Sequence, residues 1–139
     1  MTNLRVALIG AAGRMGQAII GLAKSEGVEI VARIDLGDQF AFANADVAID
    51  FSHADAATSI CAVAIKSKTP VVIGTTVHSA KQRDDIVAAS KQIPVVLASN
   101  FSVGVNALFA LTENAAKILG EDFDLEIVEV HHRMKKDAP

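Results

Sequence analysis

The stretch Leu4–Gly16, LRVALIGAAGRMG, decides how the rest of the chain is read. Leu4–Ile9 is a short apolar run rich in strand formers, and Gly10 ends it abruptly. From about Arg14 to Lys24 the apolar residues Met15, Ala18, Ile19, Leu22 and Ala23 recur at helical spacing. Between strand and helix stand three glycines, Gly10, Gly13 and Gly16. Glycines at such a turn let the chain reverse tightly and let backbone N–H groups approach a pyrophosphate, which the helix N-terminus then stabilises. The spacing is GxxGxxG rather than GxGxxG, so the motif needs its context. That context is present: a strand before, a helix after, and Asp35 closing the second strand 19 residues past Gly16. A carboxylate there can accept hydrogen bonds from both hydroxyls of an adenosine ribose.

Working outward, strands and helices alternate. Strands are expected at Glu29–Ile34, Val47–Ile49, Val71–Ile73, Val95–Ala98 and Leu125–Val130. Helices are expected over 54–67, from the N-cap Ser79 to about Lys91, and over 103–119 with Gly120 as C-cap. Near-continuous apolar strands alternating with helices imply a doubly wound, mostly parallel α/β sheet of Rossmann type, covered on both faces. Only about ten residues separate Asp35 from Ala45, too few for a full crossover helix, so this connection is expected to be irregular.

Composition narrows the function classes. The chain has 139 residues, 51% hydrophobic and 21% charged, with net charge −3. That suits one compact domain and excludes disorder. No apolar run reaches the roughly 18–20 residues of a membrane span, and the N-terminus lacks a signal-peptide pattern. A single cysteine, Cys61, fits a reducing cytoplasm, and its mid-helix position marks it as a core residue. Six Phe without Trp or Tyr, in an acidic chain, argue against a nucleic-acid partner.

Ligands of parallel sheets bind beyond the C-terminal strand ends. Small and polar clusters lie there: Asp50-Phe51-Ser52, Gly74-Thr75-Thr76 and Ser99-Asn100-Phe101-Ser102. Each alone is ordinary turn chemistry; three on one edge suggest the nicotinamide side of a dinucleotide site. The last nine residues, HHRMKKDAP, carry +2, which leaves −5 on the first 130. A basic cluster in an acidic protein suits an anionic small molecule, and His131 and His132 could donate protons near neutral pH. Adjacent strand histidines point to opposite faces, so no metal site is expected. His53 and His78 lie in polar loops and are expected to be solvated.

Taken in order, GAAGRMG, IDFS, VVIGTT, ASNFSVGVN and EVHHRMKKDAP resemble the dihydrodipicolinate reductase family across essentially the whole chain. The resemblance implies NADH- or NADPH-dependent reduction of the cyclic intermediate of diaminopimelate and lysine biosynthesis. It implies that Gly10, Gly13, Arg14, Met15 and Gly16 cradle the pyrophosphate and that Asp35 holds the ribose. Phe51, Gly74, Thr75, Thr76, Ser99, Asn100 and Phe101 would line the nicotinamide side. His131 and Lys135 match the family's catalytic residues, and His132 a substrate-binding position. Asp35, followed by Leu36 and Gly37, favours NADH, although Arg14 or Arg33 could reach a 2′-phosphate.

Two departures matter. The loop after Asp35 is short, and the chain stops at Pro139, inside the family's active-site motif. The expected organisation is a dinucleotide-binding domain over 1–124. Residues 125–139 would then be the first strand and catalytic loop of a truncated substrate and tetramerisation domain. The intact family member is expected to be a homotetramer acting on a small anionic dicarboxylate, and this form to have little or no activity. Two rivals are a non-catalytic NAD-binding module, which leaves HHRMKK unexplained, and another dehydrogenase, such as one acting on a semialdehyde, for which Cys61 is misplaced.

Overall fold

The computed structural model describes residues 3–42, 44–128, 130 and 133. The chain divides into two compact units, 1–101 and 102–139.

The first unit is a five-stranded parallel sheet. Its strands are β1 (Leu4–Ile9), β2 (Val28–Ile34), β3 (Val47–Asp50), β4 (Val71–Ile73) and β5 (Val95–Leu97). Helices α1 (Arg14–Ala23), α2 (Ala57–Ser67, entered through a single 3-10 turn at Ala54–Ala56) and α3 (Ala80–Ser90) connect them. The spatial order is β2-β1-β3-β4-β5. The sheet therefore grows one way from β1 to β2 and the other way from β1 to β3, and the crevice between β1 and β3 is its topological switch point.

Alternation along β1 sends residues to two cores. Ala7 and Ile9 join Ile60, Cys61 and Ala64 of α2 and Ile86 and Ala89 of α3 on one face. Val6 and Leu8 pack with Ile19 and Ile20, next to Ile30 and Val47, on the other. Burying a side chain such as Ile60 contributes roughly 1.5–3 kcal/mol. One face is covered along the sheet and the other from β2 to β3, while Val96 and Leu97 of β5 stay exposed; Cys61 is the buried core residue expected.

The connection from β2 to β3 carries no helix among its described residues. Phe42 anchors it in the core, and Asp46 clamps it to the start of β1. The Asp46 carboxylate accepts from the Arg5 backbone N–H at 2.8 Å and from its Nη2 at 2.8 Å. Helix α3 begins in a complete capping box: Ser79 accepts from the Gln82 backbone N–H, and the Gln82 side chain accepts from that of Ser79.

The second unit contains α4 (Val103–Leu119), whose N-cap Ser102 accepts from the Val105 N–H at 3.4 Å. Gly120 closes it with φ +73°, and a 3-10 turn follows at Gly120–Asp122. Leu125–Val128 and Val130 are not in a strand. The run Leu125–Val130 was expected to be a strand on composition, but a strand exists only through its ladder, and no described segment pairs with this one.

Candidate functional site

At the end of β1 the chain turns through Gly10, whose φ is +79° and whose N–H donates to the Ile34 carbonyl at 2.8 Å. A Cβ on Gly10 would stand 2.7 Å from the Phe51 carbonyl oxygen, so β3 passes too close for any side chain. Gly16 is buried directly beneath the loop. Gly13 is the N-cap of α1 and has no side chain to satisfy the first-turn N–H groups. Those amides, with Arg14 and Met15 exposed at the helix start, are oriented as a pyrophosphate site requires.

Asp35 lies against this loop. Both of its carboxylate oxygens accept from the Ala12 N–H at 3.0 Å, and the Asp35 N–H donates to Asp38 Oδ2 at 2.9 Å. A cavity of about 670 Å³ opens here, running from Asp35–Asp38 across Gly10 and Gly13 to Phe51–His53 and Asp55. Three carboxylates, Asp35, Asp38 and Asp55, line it, and no lysine or arginine among the described residues does.

A second cavity, about 500 Å³, adjoins the first through Phe51, Ser52, His53 and Asp55. Met15, Gly74, Thr75, Thr76 and Val77 form its other walls. Gly74 is flush with the Phe51 ring: a Cβ there would fall 2.2 Å from Phe51 Cε1. The Phe51 ring in turn meets Phe101 edge to face, with centroids 5.7 Å apart and planes at 70°.

Behind this wall lies a buried polar cluster. Asp50 is fully buried, and its Oδ1 accepts from the Ser52 N–H at 2.9 Å and the Ser52 hydroxyl at 2.5 Å. Thr75 Oγ1 is 3.4 Å from Asp50 Oδ2 and 3.0 Å from His78 Nε2. Burial pushes the Asp50 carboxyl above the ordinary carboxylate range, against the pull of the Ser52 and Thr75 hydrogen bonds and of His78.

The structure thus brings Gly10, Gly13, Met15, Asp35, Phe51, Gly74, Thr75 and Thr76 onto one edge, with Gly16 beneath and Phe101 alongside. Arg14, Ser99 and Asn100 are near the strand ends but line neither cavity. His131, His132 and Lys135 lie outside the described residues. His78 is a correction: it is 8% exposed, not solvated, because its ring turns inward to Thr75. Asp38 and Asp55 are additions; their only signal in the sequence is an acidic residue soon after a strand end. Among the described residues no cluster of His, Cys, Asp or Glu could hold a metal, and no helix is long and apolar enough to cross a membrane.

A parallel sheet with a glycine turn at its switch point, an aspartate at the end of β2 and two adjoining cavities along one edge is the architecture of a dinucleotide-binding α/β domain. Comparison with known proteins narrows the class. The family model described as "Dihydrodipicolinate reductase, N-terminus" matches residues 4–42 and 35–101, and that described as "Dihydrodipicolinate reductase, C-terminus" matches 104–139. The chain belongs to the dihydrodipicolinate reductase family. It is 46% identical over 139 residues to the 4-hydroxy-tetrahydrodipicolinate reductase of Akkermansia muciniphila, covering 98% of this chain and 56% of that one. To that of Zymomonas mobilis it is 44% identical, covering 99% and 58%. The chain therefore spans a little over half the length of these relatives. Among solved structures, the dipicolinate-bound dihydrodipicolinate reductase from Paenisporosarcina sp. TG-14 shares the fold. Its TM-score is 0.68 at 22% identity, over 82% of this chain and 54% of that one.

Proposed function

We propose that this chain is the cofactor-binding half of a 4-hydroxy-tetrahydrodipicolinate reductase and that it prefers NADH to NADPH. The observation that carries the reading is the continuous crevice from Asp35, over the glycine turn, to Gly74–Thr76. The glycine turn suits a dinucleotide: Gly13 caps α1 without a side chain over its first N–H groups, and Gly10 and Gly16 keep the turn tight because a Cβ at either would strike neighbouring backbone. Asp35 then receives the adenosine ribose, the first amides of α1 receive the pyrophosphate, and the compartment beside Phe51 and Gly74 takes the nicotinamide. The bound cofactor supplies the hydride.

Preference between the cofactors follows from charge. A 2′-phosphate would enter a cavity lined by Asp35, Asp38 and Asp55 with no facing cation among the described residues, which disfavours it. The substrate is a small anionic dicarboxylate reduced in the cytoplasm, by a homotetramer in the intact enzyme. His131 donates the proton, Lys135 anchors a carboxylate and favours developing negative charge, and His132 assists binding. Ser99 and Asn100 complete the nicotinamide side.

Fluorescence titration of the chain with NADH and with NADPH at low ionic strength tests the reading. NADH is expected to bind at least about tenfold more tightly. Tighter NADPH binding would overturn the preference, and absence of binding by either would overturn the cofactor role. In the full-length reductase, His131→Ala and Lys135→Ala should each lower kcat by at least about 10²-fold.

A further inference from the structure

The buried cluster behind the second cavity is more than packing requires. Asp50 is fully buried and Thr75 and His78 are each 8% exposed, yet their side chains are hydrogen-bonded to one another and to Ser52, and Ser52 and Thr75 line the cavity. Thr75 has one hydroxyl hydrogen. Given to Asp50 Oδ2, it leaves a lone pair facing His78 Nε2, which must then carry the ring proton. The resulting chain runs His78 to Thr75 to Asp50, and Ser52 closes it on the other carboxylate oxygen. Asp50 and His78 line neither cavity, whereas Ser52 and Thr75 line the second. The Asp50 carbonyl also accepts from the Gly74 N–H at 2.8 Å, so the ends of β3 and β4 are tied at this point.

A second observation falls on the same wall. Val77, between Thr76 and His78, holds φ at +64° and exposes its side chain to the cavity. A β-branched residue there is strained, and such strain persists only where the surroundings over-determine the backbone. The turn it makes is what returns the His78 ring to Thr75, three residues back. Burying a carboxylate and straining a valine both work against stability. Both occur beside the compartment assigned to the nicotinamide.

We propose that Asp50 and His78 are positioning residues for the nicotinamide end of the cofactor, acting through Thr75 and Ser52. The proposal rests on the cofactor reading above. Neither residue touches the ring; together they fix the hydroxyls and the Gly74–Thr75 backbone that do.

The test is titration of the chain with NADH and with ADP-ribose, which has the same adenosine and pyrophosphate but no nicotinamide. His78→Ala should weaken NADH about tenfold, as expected for a lost buried hydrogen bond, and change ADP-ribose less than about twofold. His78→Gln, whose amide nitrogen reaches the place of Nε2, should bring NADH back to within about threefold of the unmodified chain. His78→Asn, too short to reach Thr75, should not. Equal weakening of both ligands, or no weakening of either, would overturn the proposal while leaving the cofactor reading intact. Failure of the unmodified chain to bind either ligand would overturn both. If His78→Ala does not fold, the Asn–Gln pair decides alone: loss with Asn and retention with Gln supports the proposal, and equal behaviour overturns it.

Discussion

A Cβ on Gly16 would lie 2.2 Å from the carbonyl oxygen of Gly10 and 2.6 Å from that of Ala11. Helix α1 thus rests directly on the glycine turn, and the turn's shape depends on a missing side chain one helical turn in. Two effects oppose each other on Gly16→Ala. Helix propensity favours alanine by about 1 kcal/mol, but the clash is with backbone that cannot rotate away. Overpacking of this kind costs roughly 1–3 kcal/mol and here re-forms the loop, so the clash wins. The variant should melt earlier, and calorimetry should find NADH and ADP-ribose binding lost together.

Gly21 is the control within the same helix. A Cβ there meets nothing within 4 Å, and its φ is not in the left-handed region. Propensity acts unopposed, so Gly21→Ala should raise stability by about 0.5–1 kcal/mol. Urea unfolding would read this as a higher midpoint at unchanged slope.

Gly74→Ala tests the aromatic wall. The added methyl would meet the Phe51 ring at 2.2 Å, and that ring cannot move without disturbing its edge contact with Phe101. Unlike Gly16, the obstacle is a side chain, so the fold should survive with a loss of about 1–3 kcal/mol. NADH affinity should fall at least about tenfold while ADP-ribose holds. Parallel titrations of the two ligands check it.

Val77→Gly should stabilise the chain. The left-handed conformation costs an L-residue roughly 1–2 kcal/mol, more when β-branched, against about 0.5–1 kcal/mol of extra unfolded-state freedom for glycine. The net expectation is a gain of about 1 kcal/mol in urea unfolding. Loss of stability would mean that the Val77 side chain makes compensating contacts.

Much of this was legible in the sequence because one physical rule, apolar periodicity, sets the elements, and glycine positions set the turn. Leu4–Ile9 and Val71–Ile73 fall on the strands expected, and Ser79 caps its helix with Gln82 in reciprocal bonds. Asp35 and Gly74 each directly follow a strand, where the sequence put them. The burial of His78 was not legible, since it depends on Val77 adopting a conformation that valine disfavours, which no local pattern announces. Nor did composition distinguish Leu125–Val128, apolar and strand-like, from a strand with partners to pair with. Asp50 lay between these cases: its place at a strand end was visible, but its hydrogen bonds to Ser52 and Thr75 required the third dimension.

Asp46 and Asp50 should act on stability in opposite directions as pH changes. Asp46 is held below the ordinary carboxylate range by its hydrogen bonds to Arg5. Its contribution is therefore complete above about pH 4 and is lost as pH falls through its lowered pKa. Asp50 is raised by burial, so folding favours its protonated form. Its contribution is complete below about pH 4 and declines as pH rises through the raised value. Asp46→Asn should flatten the acid limb of the stability profile. Asp50→Asn, which can still accept from Ser52 and donate to Thr75, should flatten the decline on the other side of pH 4. Urea midpoints between about pH 2.5 and 7 separate the two. Parallel behaviour of the two variants would refute the assignment of opposite shifts.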